Sequence, residues 1–334
     1  MAEVYAASRV GPHGFRKRVA VKRVLPSAIE DEAFVRMFVE EATLAARLSH
    51  PNIVQVFDFG EDEGELYLAM ELVEGASLGR LLRAIASKGE ALPLHVALYV
   101  VGQAARALDY AHALRDDDGE RLHLVHRDVS PGNLLLSTTG HVKLADFGIA
   151  CTRERERHTG KNDLRGKLGY MSPEQVQGHT LDGKSDVFTL TVILAELLMG
   201  APLFAGGPQL DVLLRIRDVN LKALDETPKR IPSDVRKLLR DGLAALPEAR
   251  PDARAFAERV EGIAASRGFA ADASREVCQL LSLYGLCVVA DELAITKNAA
   301  DHTARFEEPS VEQDPTRDTS TGLVVTPLDL SPKH

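Results

Sequence analysis

The sequence predicts an α+β protein in which a small sheet lobe precedes a larger helical lobe. Three observations carry this. The first seventy or so residues alternate short runs rich in β-branched and apolar residues, "VAVKRVL" and "ELYLAMELV", with one helix between them. From about Pro93 the hydrophobic period turns helical, and past about Asp301 it disappears. Strands gathered at one end and helices at the other are the mark of a segregated α+β architecture.

Each element has its own signal. In "EAFVRMFVEEATLAARL" the apolar stripe runs Phe34, Phe38, Ala45, Leu48, and Glu41 falls on that stripe. A carboxylate on the buried face of a helix needs a partner, and Lys22 at the end of the strand "VAVK" is the natural one. "PLHVALYVVGQAARALDYAHAL" reads as a long amphipathic helix. "NLLLSTTGHVKL" reads as a tight hairpin turning at Thr139-Gly140. "SDVFTLTVILAELLMG" is apolar nearly all round, which predicts a buried helix stopped by Gly200. Residues 266–300 are assigned to a helical extension. Residues 301–334 are acidic, rich in Pro, Ser and Thr, and expected to form no structure. Thr326-Pro327 and Ser331-Pro332 in that tail are phosphorylation candidates, with an inert tail the favoured reading.

Bulk composition excludes several classes. A chain of 334 residues with 45% hydrophobic and 27% charged residues has ample material for a core. Its net charge of -9 argues against nucleic acid as a partner, because phosphate neutralisation needs clustered Lys and Arg. Cys151, Cys278 and Cys287 form no CxxC pair, which fits a reducing compartment without disulfides or a cysteine zinc site. No leader peptide is read at Met1, and the most apolar tract, "LLSLYGLCVVA", is too short to span a bilayer. A cytoplasmic protein without a membrane span is therefore expected.

The chemistry is concentrated in ordered motifs. "HRDVSPGN", His126 to Asn133, has the spacing H-R-D-x-x-x-x-N, and "ADFG" follows it after one hairpin. That hairpin brings Asp146 beside Asn133 to share a divalent cation. His123 and His126 come with no third metal ligand, so His126 is read as bracing the loop. "GYMSPE", "KSDVF" and "EARP" follow in order. With these motifs the chain resembles bacterial members of the eukaryotic-like Ser/Thr protein kinase family over roughly residues 1–265.

The resemblance implies a two-lobed kinase fold, with an N-lobe over about 1–73 and a C-lobe over about 74–265. It implies transfer of the γ-phosphoryl group of ATP, with Mg²⁺ or Mn²⁺, to Ser or Thr hydroxyls of protein substrates in bacterial signalling. Autophosphorylation through a transient homodimer belongs to the same expectation. Asp128 would take the hydroxyl proton, Asn133 and Asp146 would hold the metal, and the Lys22–Glu41 pair would position the α- and β-phosphates. Met70 would be the gatekeeper, the backbone of Glu71 and Val73 would bond adenine, and Val4, Ala20 and Leu135 would sandwich its ring. Arg127 would meet a phosphate on the activation loop, at Thr159 or, second, Thr152. Asp186 would support the catalytic loop, and Arg250 would pair with Glu174.

Two departures stand out. Relatives of this kind often open G-x-G-G-M-A-x-V-Y, whereas this chain opens "MAEVY", inside that loop and without the first strand. A start site set too far downstream is the favoured reading, with a naturally shortened lobe that binds ATP weakly as its rival. Secondly, Ser130 stands where Ser/Thr kinases carry a catalytic-loop Lys, and Lys167 stands where they carry its Thr partner. The two appear as an exchanged pair that keeps one cation and one hydroxyl near Asp128. Alternatives to an active protein kinase are a pseudokinase or ATP-binding regulatory module and a small-molecule phosphotransferase. The segment from Asp146 to Glu174, ending in a P-E motif, disfavours the last.

Overall fold

The strand-like runs of the first seventy residues become one antiparallel sheet. The computed structural model describes residues 2–10, 13, 15–25, 31–62, 64–147, 168–204, 206–226, 231–269, 272–287 and, as backbone, 322–326. They divide into two units: residues 1–49 and 54–74 with the C-terminal strand, and residues 50–53 with 75–287. Thr152, Thr159 and Lys167 lie outside the described residues, as do Ser331, Pro332 and Cys151.

In the first unit the strands are β1 (Ala2–Val10), β2 (Arg16–Val24), β3 (Val56–Asp62) and β4 (Glu65–Glu71), with helix α1 (Glu32–Ala46). The sheet order is β3-β4-β2-β1-β8, where β8 is Gly322–Thr326. Asp31 starts α1 by accepting hydrogen bonds from the Ala33 and Phe34 amides. Phe38 and Ala42 then pack with Val24, Leu66 and Leu68 as a small core. β8 corrects the expectation of a tail without structure. Gly-Leu-Val-Val-Thr is β-branched at its centre, and it pairs antiparallel with the outer edge of β1, from Ala6↔Thr326 to Val10↔Gly322.

The second unit is mostly helical. Its small sheet, β5 (Gly75–Ser77), β6 (Leu134–Ser137) and β7 (Val142–Leu144), runs antiparallel in that order. Helices α2 (Leu78–Ala86), α3 (Leu94–His112), α4 (Pro173–Gln177), α5 (Gly183–Met199) and α6 (Gln209–Arg217) follow in the chain. They are joined by α7 (Lys222–Glu226), α8 (Ser233–Gly242), α9 (Ala253–Ser266) and α10 (Ala273–Leu283). Every residue of α5 from Ser185 to Leu197 is buried, as its uniformly apolar sequence predicts, and Gly200 caps it in the left-handed region. Packed around α5 are α3, α8 and α9.

Arg250 locks this arrangement. Its guanidinium meets both Glu174 oxygens at 2.6 and 2.8 Å and also donates to the carbonyls of Lys184, Ala244 and Ala245. All five donors are therefore used, and the plane lies over the Phe188 ring. Ser185 adds a third hydrogen bond to Glu174 at 2.5 Å. Burial would push the Glu174 carboxyl up, but the hydrogen bonds from Arg250 and Ser185 outweigh it and hold it below the ordinary range. With a folded-state pKa below the unfolded one, this stabilisation is complete above about pH 5 and is lost as pH falls through the folded value. Arg250→Ala should lower unfolding free energy by about 3–5 kcal/mol, because it strands a buried carboxylate. In urea titrations the loss should be much smaller when Glu174→Met accompanies it; an equal loss in both would show that the ion pair is not the cause.

Candidate active site

In the first unit the sequence-predicted residues collect on one sheet face. Val4 lies opposite Lys22, and Ala20 lies opposite Met70. Alternate residues share a face, so Val4, Ala20, Lys22 and Met70 point the same way. Lys22 Nζ stands 3.6 Å from Glu41 Oε1, with Glu41 buried and Lys22 half-buried. The apolar stripe of α1 had placed Glu41 inward, and the sheet supplies its cation. Glu71 ends β4, where its amide bonds the Gln55 carbonyl at 2.8 Å, and Val73 lies on the strand's exit. Leu135 belongs to the second unit, on β6.

In the second unit Asp186, on the first turn of α5, organises the catalytic loop. Its Oδ2 accepts from the His126 amide at 2.8 Å, and its Oδ1 accepts from the Arg127 amide at 2.9 Å. His112, at the end of α3, donates through Nε2 to the same carboxylate at 2.8 Å. These bonds overcome the opposing effect of burial and keep Asp186 below the ordinary carboxylate range. His126 is fully buried, and burial pulls its pKa down despite the nearby carboxylates. Its Nδ1 accepts from the Asp128 amide at 3.3 Å while Nε2 donates to the Ala145 carbonyl at 3.1 Å. That pattern is a neutral imidazole protonated on Nε2. These bonds tie the loop to the hairpin.

Asn133 joins the loop to the hairpin. Its Nδ2 donates to the Asp128 carbonyl at 2.7 Å and to Asp128 Oδ2 at 3.1 Å. With both amide hydrogens engaged there, Asn133 Oδ1 is the face left for a cation. The Ala145 amide bonds the Asn133 carbonyl at 2.9 Å, closing the last rung of the β6–β7 hairpin. Asp146 follows directly, in the left-handed region at φ 52. One amide oxygen and one carboxylate make a hard-oxygen donor pair. Among the described residues there is no cluster of three or more His, Cys, Asp or Glu able to hold a metal alone. The hard-oxygen pair itself suits Mg²⁺, which takes one or two protein oxygens and completes its shell from phosphates and water.

Ser130 is buried, and its Oγ has no hydrogen-bond partner among the described residues. The same holds for Arg127 Nε. Arg127 itself sits at φ 64, its amide held by Asp186 and its carbonyl by Gln175 Nε2 at 2.8 Å.

Sequence reasoning missed several supports of this site. His112 was read only as part of an amphipathic helix, and Gln175 carried no signal. Asn52 bonds the Val142 carbonyl and Gln103, and its own carbonyl takes the Leu144 amide, so it pins the outer hairpin strand. Tyr170 donates to the buried Glu196, whose carboxyl is raised chiefly by burial. A polar residue inside an otherwise apolar stretch, as Glu196 is in "VILAELLMG", was the available signal.

Comparison with known proteins agrees with this geometry. The family described as "Protein kinase domain" matches residues 3–259. The chain is 40% identical over 262 residues to the tyrosine-protein kinase MasK of Myxococcus xanthus, covering 78% of this chain and 41% of that protein. It is 37% identical over 261 residues to the serine/threonine-protein kinase PknA of Mycobacterium tuberculosis, covering 75% and 56%. To the serine/threonine-protein kinase PrkC of Bacillus subtilis it is 32% identical over 241 residues, covering 72% and 35%. The chain thus matches about half or less of the length of these relatives. Among the described residues no helix is long and apolar enough to cross a membrane. With the kinase match running from β1 into α9 and the loop, hairpin and ion pair in order, the chain belongs to the protein kinase family.

Proposed function

We propose that this chain transfers the γ-phosphoryl group of ATP to a Ser or Thr hydroxyl of a protein, itself included, in bacterial signalling. One observation carries the reading most: the Asp128 carboxylate is tied to Asn133, which in turn closes the hairpin leading to Asp146. A proton acceptor and two metal-ligating oxygens are thereby fixed to one rigid element. The names of PknA and PrkC support Ser and Thr as acceptors. The cytoplasm, where ATP is made, is the proposed compartment.

In this mechanism Lys22, oriented by Glu41, binds the α- and β-phosphates. Asn133 Oδ1 and the Asp146 carboxylate would hold Mg²⁺ or Mn²⁺, which when bound neutralises charge on the β- and γ-phosphate oxygens. Asp128 orients the acceptor hydroxyl and takes its proton as the oxygen bonds to γ-phosphorus. The bond from phosphorus to the β–γ bridging oxygen breaks, and ADP leaves. Val4, Ala20 and Met70, with the backbone of Glu71 and Val73, would hold the adenine.

A second reading, tyrosine as acceptor, is favoured by the printed name of MasK and by Ser130 in place of the catalytic-loop Lys. Phosphoamino-acid analysis after incubation of the purified protein with Mg-ATP separates the two. Phosphoserine and phosphothreonine are expected; phosphotyrosine alone would replace the first reading with the second. No phosphate incorporation under any condition would leave an ATP-binding module. Asp128→Ala and Asp146→Ala should each abolish incorporation, and surviving activity in Asp146→Ala would overturn the metal assignment.

The exchange of Ser130 and Lys167 is proposed to keep one cation beside the transferred phosphate, where most catalysis of phosphoryl transfer arises. The unpartnered, buried Ser130 hydroxyl supports a partner arriving from outside the described residues. Lys167→Ala should lower kcat by roughly 10²-fold. Ser130→Lys with Lys167→Thr should restore much of that loss, and an unchanged kcat in Lys167→Ala would dismiss the exchange.

Activation is proposed to run through Arg127. Its amide and carbonyl are fixed while its Nε has no partner among the described residues, as suits a guanidinium awaiting a phosphate. Mass spectrometry of active protein should find Thr159 modified, with Thr152 as the second choice. Active protein carrying neither would reject this switch.

A further inference from the structure

Helix α10 lies past residue 259, where the match to the kinase domain ends, and no part of the proposed mechanism uses it. It is nevertheless seated with care. Ala273, Val277 and Leu281 form its buried stripe, which packs against α3. Its first turn rests on the tip of the β6–β7 hairpin. There the Gly140 carbonyl accepts from Tyr99 Oη of α3 at 3.1 Å and from Ser274 Oγ of α10 at 3.4 Å.

The turn is shaped for this contact. Gly140 has φ 82, and a Cβ added to it would stand 2.3 Å from the Ser274 carbonyl oxygen. Only glycine fits on both counts, backbone conformation and space. The Ser137 hydroxyl organises the rest of the turn, accepting from the Thr139 and His141 amides at 3.3 and 3.0 Å. From the turn the hairpin runs in the register Leu136↔Val142, Leu135↔Lys143, Leu134↔Leu144 to its last rung, Ala145 to Asn133. Both metal-ligating residues flank that rung. A slip at the tip would shift one arm against the other and change the spacing of Asn133 and Asp146.

We propose that Tyr99 and Ser274 are positioning residues that, by clasping the Gly140 carbonyl, hold the hairpin in register and so set the divalent-metal affinity of Asn133 and Asp146. The clasp combines α3, which lies inside the kinase match, with α10, which lies outside it. The inference rests on the metal role assigned to Asn133 and Asp146 above. Metal affinity, rather than folding alone, is what it predicts.

The test is Mn²⁺ binding by the full chain with a non-hydrolysable ATP analogue, read from the electron paramagnetic resonance signal of free Mn²⁺. Tyr99→Phe with Ser274→Ala should weaken Mn²⁺ binding by roughly tenfold, the low end of what outer supports of metal ligands contribute. Gly140→Ala should weaken it at least as much. A partly unfolded sample raises the apparent dissociation constant only by the inverse of its folded fraction, so with that fraction measured by circular dichroism a merely structural role predicts no weakening beyond it. Should the double variant fail to fold, Tyr99→Phe alone removes one oxygen and decides the matter through a smaller shift in the same direction. Unchanged affinity in the variants, with the unaltered chain binding Mn²⁺, would overturn the clasp alone. No Mn²⁺ binding by the unaltered chain would overturn both the clasp and the metal assignment beneath it.

Discussion

A single buried carboxylate, that of Asp186, holds the catalytic loop of this kinase-family chain. The loop from His126 to Asn133 is neither helix nor strand, so no regular ladder takes up its backbone groups. Left irregular and buried, its amides would go unpaired at a cost of about 1–3 kcal/mol each. Asp186 removes that cost at His126 and Arg127 together, and His112 returns a hydrogen bond to the carboxylate. The charge is tolerated inside because three donors surround it and α5, on whose first turn it sits, is itself immobilised by burial on all sides.

Strain and support meet at the same residues. Arg127 and Asp146 both adopt left-handed backbone conformations that side chains disfavour by about 1–2 kcal/mol. Arg127 is held there by bonds at both its amide and its carbonyl. Asp146 follows a hairpin rung and precedes Phe147, whose ring contacts His126 at 4.5 Å between centroids. The histidine thus touches the loop through Nδ1, the hairpin through Nε2 and the following segment through its face. Only an uncharged ring can serve all three without requiring a counter-ion.

Much of this was legible in the residues. The order of strands and helices came from a change of hydrophobic period, and the burial of α5 from its lack of a polar face. Glu41 was placed inward by helical spacing, and the need of a buried carboxylate for a partner pointed to Lys22. Motif spacing singled out Asp128, Asn133 and Asp146, and the family resemblance pointed to the Arg250–Glu174 pair and to Asp186 beneath the loop, contacts that the structure contains. His112, Gln175, Asn52 and Tyr99 were not legible. Each acts on a backbone group or a carboxylate far away in sequence, and no local pattern records such a pairing. The strand β8 escaped for a related reason. Five residues have too little periodicity to signal a strand, and their pairing partner lies at the other end of the chain.

The anchoring by Asp186 also has a bearing on motion. Loops ordinarily open by local fluctuation, at little cost, and exchange their amide hydrogens quickly. Here the amides of His126 and Arg127 end on a carboxylate rooted in the most buried helix of the second unit. Releasing either one takes a donor from a buried ion, which adds to the cost of opening. The catalytic loop, irregular in form, therefore belongs with α5 among the last parts of the unit to exchange with solvent, and its slow clock is that of the core.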